Sequence, residues 1–559
     1  MAAVFALGAR PVGELRVIAQ SNVSRPRITR VTCRPVPAAR GRVAGAAMPG
    51  MPVSRGVSVK LSAFEHKRVE LSSTYSLATT EATTPSSPET KAAVPASSRI
   101  AVPAFAFSAA VLAMSPAGPA SAAATAVATI NQADTAWVLI STALVLFMTI
   151  PGLSAFYAGI VKRKNMLSVL MQCFSITCVM TLLWYGVGYS LCFSEMGNGV
   201  LGGLDKVFLQ GITKASIWET IPEALWALYQ MTFAIITPAL MVGSFVERMK
   251  FSAVMWYSTL WMFAVYFPAC HMVWGPGGAM AAAGVLDFAG GIVVHITAGI
   301  GALVGAMVLG PRKENKMVPG NLVLTVLGTG MLWVGWYGFN GGSALSAGAD
   351  AAFACLATQI AAATAAMVWT AQDVLETGKA SMLGIATGSI AGLATVTPCA
   401  GFVGPAGACV LGVAAGVVCR YFSLVLKEKF GYDDSLDVFG VHGVGGFVGT
   451  CLLGIVAAPA LGGFNFSTSV GQQTVIQCVA AVGTAVYTAV ASYVLLLLVK
   501  KIVGGDLRVP ASAEQGEGLD QYCHGEQCYT LSHGELEGGQ PVDVPGWNTA
   551  VTAPEPVAT

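Results

Sequence analysis

The stretch that decides the fold is Leu286-Asp-Phe-Ala-Gly-Gly-Ile-Val-Val-His295, echoed by Leu436-Asp-Val-Phe-Gly-Val-His442. Each places a carboxylate at the start of a long apolar run and a histidine a short way inside it. Ionisable groups inside apolar spans are costly and mark functional sites by default. Spans placed near 136–157, 167–193, 224–246, 252–274, 289–310, 319–340, 350–373, 381–398, 402–426, 437–459 and 472–499 make the two histidine runs the fifth and tenth. Spans five apart cross the membrane in opposite directions. The echo therefore reads as a five-plus-five inverted repeat, an architecture that places substrate near the midplane between the repeats.

Composition agrees with that reading. Of 559 residues, 54% are hydrophobic and 11% charged, and the mean hydropathy is +0.65. Soluble domains carry roughly 25% charged residues, so the chain belongs in the bilayer. Most runs exceed the ~20 residues a helix needs to cross the hydrocarbon, and the alternation of a β-barrel is absent from the pattern. The expected class is an all-α polytopic membrane protein of eleven transmembrane helices. The 64 glycines suit close helix packing in lipid.

Loop charge sets the orientation. Alternate loops and the C-terminal side carry fifteen basic residues, among them Lys162, Arg163, Lys164, Arg312, Lys427 and Arg508, while the opposite loops hold Lys206 and Lys214. The positive-inside rule then puts the C-terminus inside and the mature N-terminus outside. Upstream, residues 1–99 resemble a transit peptide, with nine arginines against one acid (Glu14) in the first 60. Residues 100–122 add a signal-peptide-like apolar segment ending in an A-x-A site. In tandem they read as a bipartite presequence, which favours a plastid membrane over a cell membrane. The alternative is a disordered arm plus one extra helix. The transport domain is expected over 131–503 and a cytosolic-side tail over 504–559.

His295 and His442, in antiparallel spans, are placed to meet near the middle. Two neutral imidazoles pass one N–H between them and offer a hydrogen-bonding rail to a small polar solute. They make a poor metal site, which wants further ligands. Cys523, His524, Cys528 and His533 near the C-terminus match no common zinc spacing, and the remaining cysteines look like buried free thiols. Asp287 and Asp437 are each expected to accept hydrogen bonds from first-turn N–H groups; Asp287 also adds negative potential at the mouth. The aromatics Trp256, Trp261, Trp274, Trp333, Trp336, Phe233 and Phe339 read either as an interfacial belt or as a vestibule for a small cation.

Asp287 to His295, Gly335-Trp-Tyr-Gly-Phe-Asn-Gly-Gly-Ser343, Asp437-Val-Phe-Gly-Val-His-Gly443 and Ala143 to Gly152 together resemble the Amt/Mep/Rh ammonium transporter family, as does Gly243 to Phe251. The resemblance covers about 131–530, and His-Met-Val-Trp274-Gly favours the Amt branch, with a tail nearer the bacterial-type members. It implies an ammonium transmembrane transporter, not an enzyme, with no cofactor and no nucleic-acid partner. Trp274 and Ser343 would form the outer ammonium site, with Phe233, Tyr229, Asp287 and Trp336 in support. Phe233 and Phe339 would gate the pore, and His295 and His442 would line it. A homotrimer is also implied, and possible plugging by a PII-type signal protein at the cytosolic face. The plant branch carries a phosphorylatable threonine where this chain has Tyr522, so the resemblance does not imply that switch here. A transporter-like sensor and a membrane enzyme are the rival readings; the enzyme reading lacks a nucleophile near the histidines.

Overall fold

The structure, a computed structural model, describes residues 129–313, 318–464 and 468–529. The expected presequence lies outside them. Among the described residues, eleven helices are long and apolar enough to cross a membrane: α1 Gln132–Ile160, α2 Arg163–Phe193, α3 Glu223–Phe245, α4 Phe251–Ala282, α5 Gly291–Leu309, α6 Leu322–Gly341, α7 Ala349–Thr377, α8 Met382–Cys399, α9 Pro405–Phe430, α10 Phe439–Val456 and α11 Val470–Ile502. The number is the expected one; the bounds move. Helix α2 begins at Arg163, so two of the three basic residues placed in that loop are helical. Regular helix in α4 ends at Trp274 and resumes over Ala279–Ala282. Hydropathy fades where side chains turn polar, whereas a helix continues until its backbone is capped.

Burial along α11 is inverted relative to a soluble helix. Val475, Val479, Val482, Val486 and Val490 are exposed, while Gln477, Thr484, Thr488 and Ser492 are buried. Such a surface is satisfied by lipid, with polar side chains turned toward neighbouring helices. Outside the helices, a short antiparallel hairpin pairs β1 (Ile217–Trp218) with β2 (Ile221–Pro222). Asp134 of α1 anchors it by accepting from the Thr220 hydroxyl, and also accepts from the Ala347 N–H.

Several helices contain a widened π-type turn, a local irregularity frequent at functional sites. Three of these turns carry the expected pore residues: Gly291–Ile296 holds His295, Tyr337–Gly341 holds Phe339, and Phe439–Gly443 holds His442. The fifth and tenth helices of the inverted repeat meet almost backbone to backbone. A Cβ built on Gly299 would lie 2.2 Å from both Cα and N of Gly443. That approach faces the two histidines toward each other.

Beyond α11 the chain folds back on the loops at the same end of the helix bundle. Lys250 N–H donates to Leu507 O and Val509 N–H to Arg248 O. Arg508 grips Leu309 O and Pro311 O while holding Glu514 with both carboxylate oxygens. Asp520 then accepts from Leu167 N and Ser168 N at 3.0 and 2.7 Å. It thereby caps the α-helical run that starts at Met166.

Candidate functional site: an aromatic stack and two histidines

At the mouth, Trp274 ends the regular helix of α4, and its Nε1 donates to the carbonyl of Asp287 at 2.8 Å. The Asp287 carboxylate caps α5. One oxygen accepts from Gly290 and Gly291 (2.9 and 2.6 Å), the other from Ile292 and Val293 (2.7 and 3.2 Å). These are first-turn amides with no partner inside the helix. Burial pushes the carboxyl above its usual range, and the four N–H groups pull it partly back. Asp287 therefore fixes both the start of the His295 helix and the indole beside it.

Opposite, Ser343 Oγ donates to Phe339 O at 2.8 Å and lies 3.2 Å from the Tyr229 hydroxyl. Tyr229 also reaches Gly338 O and Phe339 O at 2.9 and 3.0 Å. Its single proton serves one acceptor at a time, so this hydroxyl group is adaptable.

Phe233 meets Trp274 edge-on at 5.9 Å and 88°. It stacks on Phe339 at 4.3 Å and 27°, and both phenyl rings are fully buried. Past this pair, His295 lies 6.0 Å from Phe339. His295 and His442 are near-parallel at 5.2 Å, with 3.3 Å between their Nδ1 atoms. That spacing fits one shared N–H, a donor on one ring and an acceptor on the other. A cavity of about 10 Å³ touches both histidines, Trp336, Phe339, Met148 and Leu240, near the least volume that takes one water-sized molecule. Nε2 of His295 is buried without a partner.

The structure therefore brings together Trp274, Asp287, Phe233, Phe339, Tyr229, Ser343, His295 and His442. It places Trp336 differently from the expectation at the outer mouth. Its ring stacks on His295 at 5.6 Å, and Nε1 donates to Thr397 Oγ1 at 2.9 Å, so it lines the cavity beside the two histidines. The wider vestibule dissolves: Trp261 bonds Ser492 of α11, Trp333 bonds Gln359 of α7, and Trp256 is half-exposed.

Asp437 also departs from the reading as a cap. It sits at φ +58°, a left-handed conformation unusual for a non-glycine residue, and its Oδ1 holds Lys427 Nζ at 2.5 Å. Asp434 caps α10 instead, accepting from Phe439 N at 2.7 Å. Burial, opposed by Lys427, pushes the Asp437 carboxyl up to about 7. Behind it, Arg312 joins Glu247 at 2.7 Å to Asp433 at 2.8 Å. Burial alone would raise Asp433, but Arg312 and Arg248 outweigh it and hold the group well below the usual carboxylate range. The Leu-Asp echo pointed to Asp437 rather than to Asp434, and no sequence pattern assigned a role to Lys427 or Thr397. No group of three His, Cys, Asp or Glu residues suited to a metal occurs among the described residues. His533 lies outside them, and the His524 ring packs edge-on against Phe251 at 5.1 Å.

Residues 136–529 match the family model described as Ammonium Transporter Family. The chain belongs to this family. This ammonium transporter is similar to one from Aquifex aeolicus, with 46% identity over 72% of this chain and 95% of that one. Among solved structures it is similar to Mep2 of Candida albicans, with 34% identity and a TM-score of 0.63 over 69% and 88% of the two chains. A solved Sensor Amt Protein is 26% identical, with a TM-score of 0.64 over 69% and 97%. The transporter is thus an integral multi-pass membrane protein that moves ammonium and is not an enzyme.

Proposed function

We propose that ammonium is held at the outer mouth by Trp274 and Ser343, loses its proton at the Phe233–Phe339 pair, and continues as ammonia along His295 and His442. The observation that carries this reading is the order of the parts. A π-face and a hydroxyl acceptor precede a closed phenyl stack, and a narrow, mostly apolar cavity bordered by two hydrogen-bonding histidines follows it.

The physics favours separation of charge at the stack. A cation over an aromatic face gains about 0.5–2 kcal/mol, enough to concentrate it but not to carry it intact into an apolar pore, where a charge costs several kcal/mol. Potassium matches ammonium in charge and nearly in size, yet has no proton to give up. Selection then lies at the mouth and stack, and conduction at the histidines. Asp287 serves as a positioning residue, since both its oxygens are already engaged by backbone amides. The bias of basic residues toward one set of loops supports a mouth on the outside and a docked tail on the cytosolic side.

Uptake of labelled methylammonium into vesicles containing the purified protein, with excess potassium present, tests the reading. Uptake that potassium does not suppress supports it. Binding without uptake would favour a sensor, and uptake abolished by potassium would remove the deprotonation step.

A further inference from the structure

His271 stands one helical turn before Trp274 and is fully buried. Its Nδ1 lies 2.8 Å from the carbonyl oxygen of Cys192, and its Nε2 lies 2.8 Å from that of Asn198. Both neighbours are backbone carbonyls, which only accept. A neutral imidazole has one N–H and one bare lone pair, so it satisfies one of these contacts and sets a lone pair against the other oxygen. An imidazolium satisfies both.

The surroundings suit a cation. Cys192 O belongs to the last turn of α2, whose helix ends at Phe193, so it is a helix-terminal carbonyl without an intrahelical partner. His271 itself occupies the last turn of the regular helix ending at Trp274. Two helix C-termini, each the negative end of a macrodipole, thus converge on one ring. The site is closely built: a Cβ on Gly275 would lie 2.4 Å from both His271 Nδ1 and Cys192 O. The segment reached through Asn198 is tied to the same turn, since Ala279 N–H donates to Gly199 O at 2.8 Å. The titratable groups nearest these turns in sequence are Tyr189 and Cys192 at the end of α2, Tyr266 and Cys270 of α4, and Glu195, Asp205 and Lys206 of the following loop, of which Glu195 is exposed.

We infer that His271 is a buried imidazolium whose two N–H groups clamp the end of α2 and the outer loop around Asn198 to the end of α4, and that this clamp positions Trp274 for cation capture. It is a positioning residue, and this assignment rests on Trp274 belonging to the outer site. Replacing the doubly donating ring frees one or both carbonyls and loosens the platform on which the indole stands, while the stack and the histidine pair are untouched. Capture suffers and the conduit does not.

The test is ring ¹⁵N NMR of the full chain in lipid bilayers at neutral pH, with ¹⁵N-histidine labelling, together with methylammonium uptake. Carbonyl-¹³C labelling of cysteine selects the histidines that follow a cysteine, His271 and His524, and His524→Ala removes the second. The expected result is an imidazolium signature for His271, both nitrogens protonated. In His271→Gln the half-saturation concentration for methylammonium rises threefold or more, with the maximal rate within twofold of wild type. A neutral ring overturns the inference even if uptake is normal, and an unchanged half-saturation concentration in a folded His271→Gln overturns the positioning role. If that variant does not fold, the wild-type spectrum still decides the charge, and His271→Arg, which keeps a cation with several donors, is expected to retain near-normal capture. Loss of capture in His271→Arg as well would refute the clamp. Absence of transport by the wild type would instead count against the proposed function, leaving the ring's protonation to stand or fall separately.

Discussion

Gly299→Ala places a methyl group where the structure has almost no room. Its Cβ would sit 2.2 Å from Cα and N of Gly443. These are backbone atoms that cannot swing away, and ordinary contact begins near 3.4 Å. The α5 and α10 helices must therefore part by about 1.2 Å at this crossing, the difference between those two distances. His442 adjoins Gly443, and His295 lies one turn before Gly299, so most of that movement reaches the rings. Added to the present 3.3 Å between the Nδ1 atoms, it gives about 4.5 Å, beyond any hydrogen bond. Overpacking of this kind costs about 1–3 kcal/mol, which a well-packed bundle survives. Losing one hydrogen bond raises the conduction barrier by about 0.5–1.5 kcal/mol, up to roughly a tenfold fall in rate. The assay is the initial rate of labelled methylammonium uptake in vesicles, with Gly330→Ala as control because a Cβ there meets nothing within 4 Å. The control is expected to stay within twofold of wild type. A correctly folded Gly299→Ala that transports at the wild-type rate would refute the link between helix approach and conduction.

Two further outcomes concern Asp437 and the docked tail. Asp437, raised to about 7 by burial, favours folding most below the ordinary carboxyl range and loses that contribution as pH rises through about 7. Thermal stability in detergent is expected to decline between pH 4 and 7, with a slope of up to about 1.4 kcal/mol per pH unit from this group, and Asp437→Asn should flatten the curve. Asp520→Ala leaves the Leu167 and Ser168 amides uncapped, a loss of about 0.5–2 kcal/mol. Hydrogen exchange over 504–529 should accelerate while that of α5 and α10 stays unchanged.

Legibility in the sequence tracked the range of the interaction. The membrane class, the eleven spans and the pairing of His295 with His442 depend on hydropathy and on an echo along the chain, both of which are local signals. Asp287 was readable as a cap because a single acid precedes α5. At α10 three acids crowd 433–437, and the choice of Asp434 is made by tertiary contacts, with Lys427 drawing Asp437 away. The aromatics were readable as a set but not as a site. Which of them converge depends on helix rotation: Trp261 turns toward α11, whereas Trp274 is held by a carbonyl thirteen residues downstream. Trp336 illustrates the same limit, since its motif suggests the mouth while its indole hydrogen bond to Thr397 fixes it beside His295. His271 stands in the His-Met-Val-Trp-Gly motif, but its role is not legible there, because its two partners are backbone oxygens, which carry no residue-type signal.

The central claim is that ammonia passes along the twin histidines after the cation is left at the stack. The most direct measurement compares wild type with the His295→Ala, His442→Ala double variant in proteoliposomes, recording methylammonium transport and its inhibition by potassium together. The account predicts that transport collapses, or that potassium becomes an effective competitor, because the hydrogen-bonding rail 3.3 Å wide at Nδ1 is gone. Transport and selectivity both unchanged in the double variant would contradict it.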